Sequence, residues 1–278
     1  MITQEYEQFK LFILDDNSPG DEAEKYIKNV NDSRITYEKN FKRLGIPGNF
    51  EKARKTGGSK WIIFLGQDDV LKPNFLSELN KIITANPELV LIQGKTEVID
   101  EDGNLKNTII DFVKRVIYNV LRIFSKSTQS ANLVTNEKGF NAILVGNFFY
   151  FPTIAWNRDK VLDHKFRLDL EINLDFDLLL QILKLDGCFA ISRKILAQYR
   201  RHGESASSKK LQMYRRLLEE RDYFNDFLRN NSKSLSRIRI LLIWLKLSNR
   251  LFCLYMTLQF LRSKDFAEAK NFMKLSVS

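Results

Sequence analysis

The sequence predicts an α/β protein: a mostly parallel sheet flanked by helices, followed by a C-terminal helical extension. Three observations predict it. Apolar runs end abruptly in acids, at Lys10–Leu14 before Asp15 and Asp16, and at Trp61–Leu65 before Gly66, Gln67, Asp68 and Asp69. Such runs read as buried strands, and acids at their carboxyl ends lie where open α/β sheets bind ligands. Helical patterns alternate with these strands, which gives parallel pairing. Beyond Ser208 the pattern changes to long helices, and no acid occurs between Asn231 and Lys264, whereas Lys233, Arg237, Arg239, Lys246, Arg250 and Arg262 do.

Each element has a local reason. After the first strand, Asp16-Asn17-Ser18-Pro19-Gly20 is turn chemistry, and acids early in Asp21–Val30 suit a helix amino end. Arg34–Tyr37 is a short strand. Asn49 is placed to cap a helix from Phe50 to about Thr56, which Gly57-Gly58 would end before the Trp61 strand. Pro73 opens a helix over about Asn74–Thr84, and Asn86-Pro87 stops it. Leu89–Gln93 and Thr96–Ile99 are further strands, with Asp102-Gly103 a turn. From Ile109 to Phe124 apolar residues recur at helical spacing, with Lys114, Arg115 and Arg122 marking a basic side, as in a packed surface helix or, alternatively, a membrane contact. The uncharged stretch Gly139–Asn157 contains Gly146, Asn147 and Pro152 and fits buried strands better than a membrane span. Leu178–Leu185 is helical and Ala190–Tyr199 strand-like. The extension divides into helices at about Lys210–Arg229, Leu235–Leu261 and Asp265–Leu275.

At 278 residues, 44% hydrophobic and 28% charged, the chain is globular and can bury a sizeable core. Its net charge of +10 attracts anions of every kind, and no nucleic-acid recognition motif accompanies it, so nucleic acid is not expected as a partner. Cys188 and Cys253 match no zinc or redox spacing and read as reduced core thiols. Met1–Glu7 has neither the basic nor the apolar segment of a secretory signal, and a cytoplasmic location follows as the expectation.

The two acidic strand ends, together with Gly45–Phe50, Asn147–Pro152, Leu174-Asp175-Phe176-Asp177 and Tyr199–Gly203, occur in an order that resembles the family-2 inverting glycosyltransferases of the GT-A fold. The resemblance covers about residues 1–208, implying a catalytic domain there and a basic helical extension over 209–278. The family usually opens with a strand, a nucleotide-contacting loop and a helix, whereas Met1–Phe9 resembles only the end of that helix. An N-terminally truncated domain, whose sheet lacks an inner strand, is therefore expected.

By the same resemblance, Asp16 would accept a hydrogen bond from the nucleotide base, with Asp15 as a structural partner. Left to themselves, both acids also fit turn residues bonded to nearby amides. Asp69 would bind Mg2+ or Mn2+ and Asp68 would contact the ribose or the metal. Hard dications prefer carboxylate oxygens and bridge them to phosphates, although Gly66 and Gln67 depart from the commonest form of this motif. Asp175 would be the general base, while Leu174 takes the place of the family's usual glutamate and Asp177 caps or orients the helix. Arg201 or His202 would reach the diphosphate or metal. Donor binding is thus assigned to Asp16, Asp68, Arg201 and His202. The implied reaction is inverting transfer from a nucleotide-sugar donor to a lipid-linked or polysaccharide acceptor in cell-surface glycan synthesis. The alternative is a non-catalytic relative that binds a nucleotide sugar or a partner. The acid-free tail, with Trp244, Phe252, Tyr255 and Phe260, would hold the protein at an anionic membrane surface, the inner face of the plasma membrane.

Overall fold

The computed structural model describes residues 1–170, 172–201, 210–231, 233, 235–245 and 247–277. Its α/β architecture is a mixed sheet flanked by helices. β1 (Leu11–Asp15), α1 (Glu22–Val30) and β2 (Ile35–Lys39) form a small parallel unit, in which Leu11 pairs with Ile35 and Asp15 with Lys39. This pair is a separate sheet. The larger sheet contains β3 (Trp61–Ile63), β4 (Val70–Leu71), β5 (Leu91–Ile99), β6 (Lys126–Ser127), β7 (Ala131–Thr135), β8 (Ile154–Asn157) and β9 (Cys188–Arg200). Its order is β3-β8-β5-β9-β7-β6, and β4 also pairs with β9.

Direction explains why the sheet is mixed. β8 runs antiparallel to both β3 and β5, and β5 runs parallel to β9, so β3, β5 and β9 all point the same way. The strands that stand out in the sequence are thus mutually parallel. The reversed partners, β7 and β8, come from short apolar segments with no distinguishing period. β5 is one strand rather than two, with its register against β9 shifting between Gln93 and Thr96. The irregularity surrounds Gly94, where a Cβ would come within 3.1 Å of both the Phe75 ring and the Thr153 carbonyl, so a side chain there would crowd both.

Two helix expectations are corrected. α2 spans Gly45–Lys55, starting a turn before Asn49. Pro47 is tolerated in the first turn, where its missing N–H has no helical acceptor. Asn49 does not cap the helix; its side-chain amide bridges the Leu14 carbonyl and Asn40. Gly57, at φ +77°, follows the helix as expected. The uncharged stretch after Gly139 begins as helix, because α5 covers Asn136–Val145. A short run such as Phe140–Val145, apolar but for Asn141, carries no period that separates buried helix from buried strand.

The other connections are α3 (Phe75–Ala85), α4 (Ile109–Ile123), α6 (Arg158–Leu162) and α7 (Leu174–Leu183). A capping box of Thr108 and Asp111 starts α4. The C-terminal helices are α8 (Lys210–Asn231), α9 (Arg237–Leu245), α10 (Leu247–Arg262) and α11 (Phe266–Val277). α8 shares the main core through Tyr223, Phe224 and Phe227, with Phe224 5.3 Å edge-on to Phe176. α9 buries Ile243 in the same core, and its Arg239 bonds Asn141 and Glu137. Cys253 and Phe272 join Leu217 in a smaller cluster. Among the described residues no helix is long and apolar enough to cross a membrane, and both cysteines are free thiols.

α2 is fixed to the loop after α6 by a buried ion pair. The Arg54 guanidinium bonds Glu51 at 2.6 Å and donates to the Leu162 carbonyl, while Glu51 accepts from the Phe166 amide. The bonds from Arg54 hold the Glu51 carboxyl down at about 2, against an ordinary value of 4.5. Its stabilisation is therefore fully present above pH 4.5 and disappears as the pH falls through about 2. Glu51→Gln leaves Arg54 buried without its counter-charge and should cost about 3 kcal/mol in urea unfolding. The acid limb of stability between those pH values should flatten in the same variant.

Candidate active site

The carboxyl ends of β3, β5 and β9 share one edge of the sheet with the amino end of β8. Of the sequence-assigned acids, Asp68 and Asp69 lie at this edge and Asp175 is linked to it through Lys114 and Arg201, whereas Asp15, Asp16 and Asp177 are not. The loop after β3 carries Asp68 and Asp69 to the end of β9, where the Arg200 amide donates to Asp69 Oδ1 at 3.0 Å. The Arg200 side chain closes the other side of the loop: Nε donates to the Asp68 carbonyl, and Nη1 to the carbonyls of Asp100 and Glu101 after β5. Gly66 leaves room for this turn, because a Cβ there would stand 2.8 Å from Asp69 Oδ2. The glycine at the place of the motif's usual acid therefore accommodates the last one.

The next residue extends the network. Arg201 Nη2 bonds Asp111 Oδ1 at 2.9 Å, and the same oxygen accepts from the Tyr150 hydroxyl at 2.9 Å. Thr108 donates to the other carboxylate oxygen. Burial pushes the Asp111 carboxyl up, but the positive charge of Arg201 and the bonds from Thr108, Arg201 and Tyr150 outweigh it and hold it below the usual range. Lys114, one turn further along α4, donates to the Phe149 carbonyl at 2.5 Å and lies 4.1 Å over the Tyr150 ring. Burial, then repulsion from Arg201 and Arg216, pushes its ammonium down to about 7.

Asp175 sits in the first turn of α7, where its carboxylate accepts from the Phe176 amide. Burial raises its pKa against the opposing pull of Arg216 and Lys114. Asp177 is buried and serves packing: its oxygens accept from Tyr223 of α8 and from Gln181. An acid in the first turn favours the helix dipole in either case.

Asp16 stands at a different place. Its oxygens accept from the amides of Leu44 and Gly45 at 2.7 and 2.8 Å, and from Asn40 at 2.9 Å. Burial would raise this carboxyl, yet the bonds from Leu44, Asn40 and Gly45 hold it low. Asp16 thus fixes the start of α2, and Asp15 fixes the turn after β1 through Tyr37 and Ser18. His202 lies outside the described residues. Asp111, Lys114, Tyr150 and Arg216 received no role from the sequence. Lys114 had a signal, since it falls near the angular position of Ile117 and Leu121 on the helical wheel and therefore on the buried side.

No three His, Cys, Asp or Glu side chains converge to hold an ion by themselves among the described residues. Mg2+ needs fewer, because it binds through one or two carboxylates plus ligand phosphates. The Asp68–Asp69 pair, anchored by Arg200, fits that smaller donor set.

A sequence profile for the family described as glycosyl transferase family 2 matches residues 1–166. The chain belongs to that family. The GT-A fold of this glycosyltransferase is matched by the crystal structure of S. aureus TarS 1–349 in complex with UDP-GlcNAc, with a TM-score of 0.57 and 13% identity over 98% of this chain and 84% of that one. The structure of S. aureus TarS without the 1–349 limit matches at a TM-score of 0.54 and 14% identity, over 98% and 50% of the two chains. In sequence, the glycosyltransferase resembles the uncharacterized glycosyltransferase MJ1057 of Methanocaldococcus jannaschii, at 32% identity over 107 residues. That alignment spans 38% of this chain and 37% of the relative.

Asp111→Asn should cost about 3 kcal/mol in chemical denaturation, because Arg201 loses its counter-charge in a buried setting. Arg201→Met in the same background should restore part of the loss, giving a measurable coupling energy. A double variant whose loss equals the sum of the two single losses would show that the pair does not interact.

Proposed function

We propose that this glycosyltransferase transfers a sugar, with inversion at the anomeric carbon, from a nucleotide-sugar donor to a lipid-linked or polysaccharide acceptor in cell-surface glycan synthesis. The observation that supports it best is the single strand end shared by two sites: Arg200 binds Asp69, and the adjacent Arg201 enters the charged group around Asp175. The donor would sit at the Asp68–Asp69 loop, with Arg201 and His202 toward its diphosphate. Asp68 and Asp69 would hold a Mg2+ or Mn2+ ion there, which supplies positive charge to the departing diphosphate when bound. Asp175 takes the proton of the acceptor hydroxyl. The hydroxyl oxygen forms the new bond to the anomeric carbon as the bond to the diphosphate breaks, and that electron pair leaves with the nucleotide. A carboxyl raised by burial is a better base than an ordinary aspartate. Arg216 holds positive charge beside it, joined by Lys114 when that ammonium, pushed down to about 7, is protonated; this charge orients the carboxylate and draws in anionic substrate groups.

A non-catalytic relative remains the second reading, favoured by one observation: Asp16, assigned to the nucleotide base, already accepts from three donors at the start of α2. Release of free sugar or transfer product from a panel of nucleotide sugars, with and without Mn2+, decides between the two readings.

Asp175→Asn should retain donor affinity and lose transfer by at least about 100-fold, the usual contribution of a general base. Unchanged turnover would remove Asp175 from the mechanism. Gly66→Ala should displace the Asp69 carboxylate and weaken metal-dependent donor binding in calorimetry without lowering the melting temperature. Wild-type donor affinity in that variant, and in Asp69→Asn, would remove Asp69 from the donor site.

A further inference from the structure

We propose that the outward face of α4 docks the protein on an anionic lipid bilayer. The apolar residues of this helix divide into two sets. Val113, Ile117 and Leu121 turn toward the protein, whereas Ile109, Phe112, Val116, Val120 and Ile123 form a solvent-facing stripe, in which Phe112 is 58% and Ile123 74% exposed. Phe124, next in the chain, is 61% exposed and extends the stripe. Isolated exposed apolar residues are ordinary; a continuous stripe along a helix of about 22 Å is not.

The charges on the helix select the occupant. Arg115 and Arg122 are both exposed and, seven positions apart, lie along the same flank of the stripe. Exposed Lys126 follows in β6. Asp111 is the helix's acid and is buried against Arg201. A bilayer with anionic headgroups offers a partner for both components, apolar depth for the stripe and negative charge for the arginines. A second copy of the chain would use the same patch on both partners and bring each cationic flank toward its own equivalent.

The position of α4 gives the contact a consequence. Its inner face carries Asp111 and Lys114 into the charged group around Asp175, so docking through the outer face would set that group at the membrane surface. The docking surface does not depend on the catalytic reading, because lipid binding is measured without donor or acceptor.

The test is sedimentation of the full chain with phosphatidylcholine vesicles, with and without phosphatidylglycerol. The wild type should partition onto the anionic vesicles and lose binding as salt rises. The variant F112S/V116S/V120S/I123S should bind at least about tenfold more weakly, and R115Q and R122Q about fivefold each. The variant L251S/L254S/L258S, which alters exposed leucines on α10, should bind as the wild type does. If the serine variant of α4 fails to melt cooperatively, the two arginine variants carry the test. The proposal is overturned by a wild type that ignores anionic vesicles. It is also overturned by loss of binding on α10 but not on α4, or by a solution dimer that the α4 substitutions dissociate.

Discussion

The end of β9 constrains the candidate site more than any other segment. A strand-end loop carrying adjacent carboxylates repels itself and has no repeating backbone pattern to fix it. Here the Arg200 amide holds the second carboxylate, and its guanidinium bonds three carbonyls from the loops after β3 and β5. The loop after β3 thereby becomes part of the sheet edge. Because β9 pairs with β4, β5 and β7, any shift in its register would move Arg200 and Arg201 together.

From Arg201 the constraint passes to side chains. Asp111 neutralises one guanidinium but accepts bonds from Arg201, Tyr150 and Thr108, which fixes α4 against the loop before β8. Tyr150 is held from behind, its amide donating to Gln93 of β5. Lys114 and Arg216 then act on a carboxyl whose burial favours the neutral form, while Arg201 acts on Lys114. The opposed forces give Asp175 a raised pKa without removing the charges that would orient an acceptor. α8 contributes Arg216 to this group and Tyr223 to Asp177, so the C-terminal helices bear on the site as well as on the core.

Much of this was legible from the sequence. β1, α1, β2, α3 and β9 begin or end within a few residues of their turn and capping signals, and Asp175 stands in the first turn of α7; the Trp61 strand is shorter than expected, stopping at Ile63, so that Asp69 directly precedes β4. What escaped has physical causes. α2 starts early because Asp16, nearly thirty residues upstream, binds its first amides, whereas the local capping signal lies at Asn49. α5 is obscured because its apolar part, Phe140–Val145, is too short to show a period. On α4 the apolar arc is too wide to identify which half is buried: Lys114, read with the basic side, faces inward, while Ile109, Phe112, Val116, Val120 and Phe124 face solvent. Arg216 lies within an ordinary charged helix, and only the packing of α8 onto α7 gives it a role.

The central claim is that one strand end joins a metal-nucleotide site at Asp69 to the charged group at Asp175. Paramagnetic broadening by Mn2+ in the presence of UDP, read from backbone amide resonances, tests it most directly. The account predicts strongest broadening at Gly66–Asp69 and at Arg200 and Arg201, weaker broadening at Asp111 and Asp175, and none at the far end of β9 around Cys188. Broadening confined to other acidic surface residues, or none beyond that produced by free Mn2+, would contradict it.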